Sequence, residues 1–247
     1  MNGYGRGFLS LPTVVKNLII INVIMLLASW VLGSTIGYDL NGLLGLYFPE
    51  SENFKPLQIL THMFMHAGLW HLFFNMYALF IFGQVLENVW GPKRFLIYYL
   101  VCGIGAALVH ETVIAFEYRN LVNQLNPEQI ERVINEGASL IARNRGFTDP
   151  SMQGLQILLN TPTVGASGAV FGILLAFGVL FPNTQLMLLF PPIPVKAKYF
   201  VLAYGGIELY LAFTQPGSNI AHAAHLGGML FGYILIRFWR KTTKTLY

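Results

Sequence analysis

The chain has 247 residues, of which 55% are hydrophobic and only 11% charged, with a formal net charge of +4. A water-soluble domain spends about a quarter of its residues on charge, so this chain cannot cover itself with polar groups and lipid has to do so. The basic residues sit in short connections and at the C-terminus, a pattern of membrane anchoring that excludes a nucleic-acid-binding face.

Six apolar stretches follow one another along the chain, at residues 14–32, 69–85, 95–116, 167–181, 199–213 and 221–238. Each approaches the ~20 residues that a helix needs to cross hydrocarbon, with the fourth and fifth short. The expected fold is therefore all-α, a polytopic membrane protein of six transmembrane helices in a single domain spanning 1–247. The first stretch is too long for a signal-peptide core and five more spans follow it. Between the first two spans, residues 36–61 are too interrupted by polar groups to cross and suit the interface instead. Residues 117–164 form the most polar stretch, an insertion that contains an amphipathic helix at 127–142.

Orientation follows from lysine and arginine. Arg6, Lys16, Lys93, Arg94, Lys196, Lys198, Arg237, Arg240, Lys241 and Lys244 fall on one side if both termini share it. The bias makes that side cytoplasmic, since four of the five opposing basic residues lie in the long loop, which counts for little. The single cysteine, Cys102, sits in an apolar run and rules out an internal disulfide.

Polar groups inside spans are costly and so become functional candidates. His62, His66, His71 and Asn75 cluster around the start of the second span, Ser167 opens the fourth, and His222 and His225 open the sixth. These spans all run from outside to inside, which brings the three clusters to one depth. The fourth span covers about 15 residues, roughly 22 Å against a hydrocarbon core near 30 Å, so its N-terminus should be recessed below a water-filled depression. Ser167 would then have water and free helix N–H groups beside it. His225 is the candidate base, because a serine hydroxyl needs one.

His225, Gly228 and Gly232 share a helix face, and Gly168 and Gly172 make a matching seam, which would bring imidazole and hydroxyl together. Phe171, one turn below Ser167, could pack under the imidazole. The bland alternative is that these small residues, Ser167 included, serve only helix packing. His71 and Asn75 share a face and could donate to an oxyanion or simply bond between helices. Glu208 is placed in mid-span, well below the reacting depth, which leaves an expected two-residue dyad and slow turnover. His62-x-x-x-His66 has the spacing of a zinc pair but lacks the glutamate of the zinc-protease signature, so no metal or other cofactor is expected.

These residues resemble the rhomboid family of intramembrane serine proteases. The run His62-Met-Phe-Met-His66-Ala-Gly-Leu-Trp-His71-Leu-Phe-Phe-Asn75 resembles the family's second-span signature, Gly165-Ala-Ser167-Gly168 its nucleophile motif, and Ala224-His225-Leu-Gly-Gly228-Met-Leu-Phe-Gly232 its last-span motif. The resemblance covers a core from about 11 to 238. It implies Ser167 as nucleophile, His225 as base, and His71, Asn75 and the Ser167 amide as oxyanion site. His66 would be a buried structural histidine, Glu87 an acid bracing the first loop, and His222 secondary. Pro56-Leu57-Gln58 stands where many members carry a Trp-Arg pair, and Phe171 where tyrosine is frequent.

The reading implied is an endopeptidase that cleaves single-pass or polytopic membrane proteins within a transmembrane segment unwound near its outer end, after a small residue. The fifth span and the loop 215–219 would be its gate, since entry needs a mobile element. The insertion at 117–164 would dock or regulate. With no organelle-targeting extension, a bacterial inner membrane with both termini cytoplasmic is expected. Two rivals remain: a catalytically silent, client-binding rhomboid-like scaffold, and a transporter built on His110, Glu111 and Glu208.

Overall fold

A computed structural model describes residues 11–187, 192–214 and 222–242. The loop 215–219, Arg6 and Lys244 lie outside the described residues. Among the described residues, each of the six apolar stretches holds a helix, and the only paired strands are the short hairpin β1 (Gln185–Met187) and β2 (Pro194–Lys196). Three helical segments, Thr13–Ile36, Leu69–Trp90 and Pro92–Asn123, are long and apolar enough to cross a membrane. This is an all-α integral membrane protein.

The first span is α1 (Thr13–Ile36), and short helices α2 (Leu40–Leu44) and α3 (Gln58–Thr61) follow in the first loop. The second span is one continuous run in which α4 (Leu69–Ala78) passes through a π-helical turn at Leu79–Gly83 into α5 (Gln84–Trp90). Gly91 then turns the chain at φ 78°, a left-handed value that a side chain resists, and Pro92 opens α6 (Pro92–Asn123). Ile24, Leu27 and Val31 of α1, and Trp70 and Phe74 of α4, are exposed large apolar side chains of the kind that face lipid tails.

Helix α6 is longer than the apolar stretch within it, because seven residues beyond Phe116 stay helical with a second layer to pack on. That layer is the insertion. It holds the expected amphipathic helix, α7 (Pro127–Ala142), with Asn126 and Gln129 closing a reciprocal capping box. It also holds a helix the sequence reading left out, α8 (Pro150–Asn160), started by the Asp149 carboxylate accepting from the N–H groups of Ser151 and Met152. Val133, Phe147, Met152, Leu155, Leu158 and Leu159 form a small core there that also takes Phe48 from the first loop.

The first loop is pinned by one buried side chain. The Gln58 amide accepts from the N–H groups of Tyr47 and Lys55 and donates to the carbonyls of Leu43 and Asn53. A two-way pair between Leu46 and Thr163 then ties this loop to the strand of chain that leads into α9 (Ser167–Leu180). The main core lies among α1, α4, α5, α6, α9 and α11 (His222–Thr242), with Tyr98, Tyr99 and Phe95 of α6 fully buried. Helix α10 (Ala197–Thr214) is peripheral: Leu202 is 71% and Phe213 79% exposed.

One expected role is corrected here. Glu87 does not brace the first loop. Its two carboxylate oxygens accept from the N–H groups of Val14 and Val15, at 2.9 and 2.8 Å. Helix α1 starts after Pro12 with no side-chain cap of its own, so its orphan N–H groups recruit a carboxylate from α5. Gln58 does the bracing instead.

Candidate active site

Helix α9 has 14 residues, about 21 Å of rise, too short to reach both faces of a bilayer of ordinary thickness. Ser167 is its first residue and is half-buried. The chain arrives through Gly165, whose N–H donates to the His62 carbonyl at 2.9 Å. Gly165 has φ 136°, and a side chain there would sit 2.8 Å from Cε1 and 2.9 Å from Nε2 of His71. Glycine is required twice over, by the backbone angle and by the histidine ring lying against it. His71 is thereby placed beside the turn that presents Ser167.

The seam between α9 and α11 sets the distance across the site. A Cβ on Gly228 would run into the backbone of Gly168, and one on Gly172 would lie 3.1 Å from the Gly228 carbonyl oxygen. The helices therefore touch backbone to backbone. Gly232 departs from the expected seam: it faces α6, where the Tyr98 hydroxyl and Cys102 fill the space beside it. The same Tyr98 hydroxyl donates to the Gly172 carbonyl at 2.8 Å, locking α6 to α9.

With the helices this close, His225 Nε2 lies 2.9 Å from Ser167 Oγ. The Phe171 ring stacks on the imidazole almost parallel, with centroids 4.1 Å apart and planes 6° off. Tyr204 of α10 covers the other face of Phe171 at 5.0 Å. That outer layer was absent from the sequence reading, because nothing in the spacing of α10 marks Tyr204 out from its other tyrosines.

The expectation of an isolated pair is corrected. Glu208 Oε2 accepts from His225 Nδ1 at 2.9 Å and from His222 Nδ1 at 2.7 Å. Glu208 lies six residues before Thr214, about 9 Å along α10, at the level of the imidazole rather than below it. Gly205 and Glu208, one turn apart, form the face of α10 that meets α11, where a Cβ on Gly205 would be 3.1 Å from Met229. His222, treated as secondary, is buried and shares the same carboxylate oxygen as His225.

Asn75 is buried, and its amide donates to the His71 carbonyl at 2.9 Å, leaving a second N–H. His71 Nδ1 accepts a long bond, 3.4 Å, from the Ala67 N–H, which leaves the proton on the Nε2 that lies against Gly165. His66 is 1% exposed and meets His71 edge-on at 5.1 Å. Burial, reinforced by the neighbouring His71, holds the His66 imidazole down to about 3, so it is neutral at ordinary pH.

His62 Nδ1 donates to the Gln58 carbonyl, and burial pushes its imidazole down as well. His110, a motive for the transporter reading, bonds Thr163 Oγ1 at 2.9 Å and so supports the chain entering Ser167. Among the described residues, the donors able to gather on a metal ion are Glu208, His222 and His225, within 4.8 Å of one another. In the observed arrangement those atoms hydrogen-bond each other.

A rhomboid domain model matches residues 53–241. Rhomboid protein 1, mitochondrial, of Saccharomyces cerevisiae is 28% identical over 180 residues, 73% of this chain and 41% of that protein. RHOMBOID-like protein 12, mitochondrial, of Arabidopsis thaliana is 31% identical over 183 residues, covering 72% and 45%. Inactive RHOMBOID-like protein 8 of the same plant is 28% identical over 114 residues, covering 46% and 31%. The chain thus spans less than half the length of these curated relatives. A match over most of the chain, carried on a helical membrane bundle, makes this protein a member of the rhomboid family.

Proposed function

We propose that this protein is an intramembrane serine endopeptidase in which Ser167 is the nucleophile and His225 the general base. The observation that carries the proposal is the 2.9 Å contact between His225 Nε2 and Ser167 Oγ at the start of α9. One relative is named inactive, so membership alone does not supply activity. The serine–histidine contact favours catalysis over the client-binding scaffold.

In the proposed reaction, Ser167 Oγ attacks a peptide carbonyl carbon while its proton passes to His225 Nε2. The carbonyl oxygen becomes an oxyanion held by the Ser167 N–H, the His71 Nε2–H and the free Asn75 N–H. His225 then gives its proton to the leaving amine as the C–N bond breaks, which leaves an acyl ester on Ser167. A water, deprotonated by His225, attacks that ester and releases the new carboxylate, restoring the serine. Phe171 keeps the imidazole plane fixed through both halves.

The substrate class proposed is a transmembrane segment unwound near its outer end, with a small residue before the cut. A serine–histidine contact inside an integral membrane bundle supports that class. The mitochondrial names of the relatives stand against a bacterial inner membrane, so the compartment proposed is an inner membrane in the broad sense. Both termini are placed on its positively biased face.

The test is cleavage, in liposomes, of a model membrane segment carrying small, helix-breaking residues near one end. Wild-type protein should cut it, and Ser167→Ala and His225→Ala should not. Cleavage that survives Ser167→Ala would overturn the mechanism. Specific retention of membrane clients by a wild type that never cleaves them would favour the scaffold.

A further inference from the structure

We infer that Glu208 is a positioning residue for His225, so that the catalytic pair works as a Ser167–His225–Glu208 relay with its acid supplied from α10. The inference rests on the proposed serine-protease reading. Glu208 and the Ser167 hydroxyl bond opposite nitrogens of the same imidazole, Oε2 on Nδ1 at 2.9 Å and Oγ on Nε2 at 2.9 Å. An ionised carboxylate has no proton to offer, so Nδ1 must carry the hydrogen and Nε2 is left with a lone pair aimed at the hydroxyl. That is the tautomer a general base needs.

The same carboxylate stabilises the imidazolium formed during attack. His222 acts one step further out. Its Nδ1–H, 2.7 Å from the same oxygen, fixes the rotation of the carboxylate so that one lone pair stays directed at His225. Glu208 and His222 are both 5% exposed, so water competes little for these bonds.

Other titratable groups face the relay. Tyr204 of α10 senses Glu208, while His71 of α4 and His110 of α6 sense His225. Glu208 is the only carboxylate among them. Removing its charge should therefore move the acid limb of activity to lower pH.

The experiment compares wild type, Glu208→Gln, Glu208→Asp and His222→Ala in detergent, each checked for a single monodisperse peak. Two readouts are taken from pH 4 to 9: cleavage of the model segment, and covalent labelling of Ser167 by a fluorophosphonate, which needs no peptide substrate. Glu208→Gln should lower kcat and the labelling rate by about 10²- to 10⁴-fold, leave KM within a few-fold, and shift the acid limb down by about one pH unit. Glu208→Asp should keep the acid limb in place at reduced amplitude. His222→Ala should cost about tenfold with the limb unmoved.

A Glu208→Gln protein with wild-type labelling and an unmoved acid limb would overturn the relay while leaving the Ser167–His225 pair intact. A fall in rate with no movement of the limb would also overturn it, reducing Glu208 to a structural contact. Failure of the wild-type Ser167 to label at any pH would instead remove the protease reading, and the relay with it.

Discussion

Replacing Gly228 by alanine tests the claim that backbone contact between α9 and α11 sets the reacting distance. The new methyl would stand 2.7 Å from the carbonyl carbon and 3.2 Å from Cα of Gly168, with the carbonyl oxygen nearer still. Non-bonded carbon atoms rest at about 3.5–4.0 Å, and backbone cannot rotate aside, so the helices must part by at least about 1 Å. Gly228 lies three residues from His225, and Gly168 adjoins Ser167. Most of that displacement therefore reaches the 2.9 Å bond and stretches it to nearly 4 Å, past hydrogen-bonding range.

A misplacement of this size costs about 10²-fold in rate, and overpacking of this kind costs about 1–3 kcal/mol. The assays are fluorophosphonate labelling of Ser167 and the thermal unfolding midpoint, which should fall by roughly 2–12 °C. Gly206→Ala is the control, since nothing stands within 4 Å of a Cβ there. It should label at the wild-type rate. Gly228→Ala labelling within threefold of wild type, with its midpoint unmoved, would refute the argument that the glycine seam sets the distance.

Glu87→Ala should cost about 1–3 kcal/mol of stability by freeing one buried and one part-buried N–H group of α1, while the labelling rate of the folded fraction stays within twofold of wild type. Phe171→Leu removes the stacked ring and should lower kcat by about three- to tenfold with KM unchanged, whereas Phe171→Tyr should retain most activity; steady-state cleavage separates the two. His66 is held at about 3 in the fold against about 6.5 when unfolded, so the unfolded chain binds the extra proton between those values. Its neutral form therefore contributes full stability above about pH 6.5, which is lost as pH falls toward 3, at up to about 1.4 kcal/mol per pH unit. His66→Phe should flatten the midpoint-versus-pH curve over that window.

Period and composition locate helices well, and the helix expected at 127–142 appears as Pro127–Ala142 with its capping box. Ser167, His225, Phe171 and Gly228 were legible because each sits at a helix position whose neighbours are fixed by three- and four-residue spacing. Contacts between distant segments were not. Gln58 reads as one polar residue in an interrupted stretch, yet its four bonds organise the first loop. Glu87 satisfies N–H groups more than seventy residues away, a pairing that no local pattern announces. Helix α8 escaped because Met152, Leu155, Leu158 and Leu159 acquire a partner only when α7 folds back over them.

Glu208 marks where depth reasoning fails. An apolar stretch bounds a helix only to within a few residues, and each residue is worth 1.5 Å of depth. Counted from the N-terminal end of α10, Glu208 is eleven residues in and reads as mid-span; counted from Thr214 it is six residues away. The glutamate side chain spans several ångströms more, and α10 runs antiparallel to α11, so a residue six before Thr214 can reach one three residues into α11. An ionisable group in a membrane helix is held there by the partner that makes it affordable. For Glu208 that partner is a pair of imidazole N–H groups, and one of them belongs to the histidine facing Ser167.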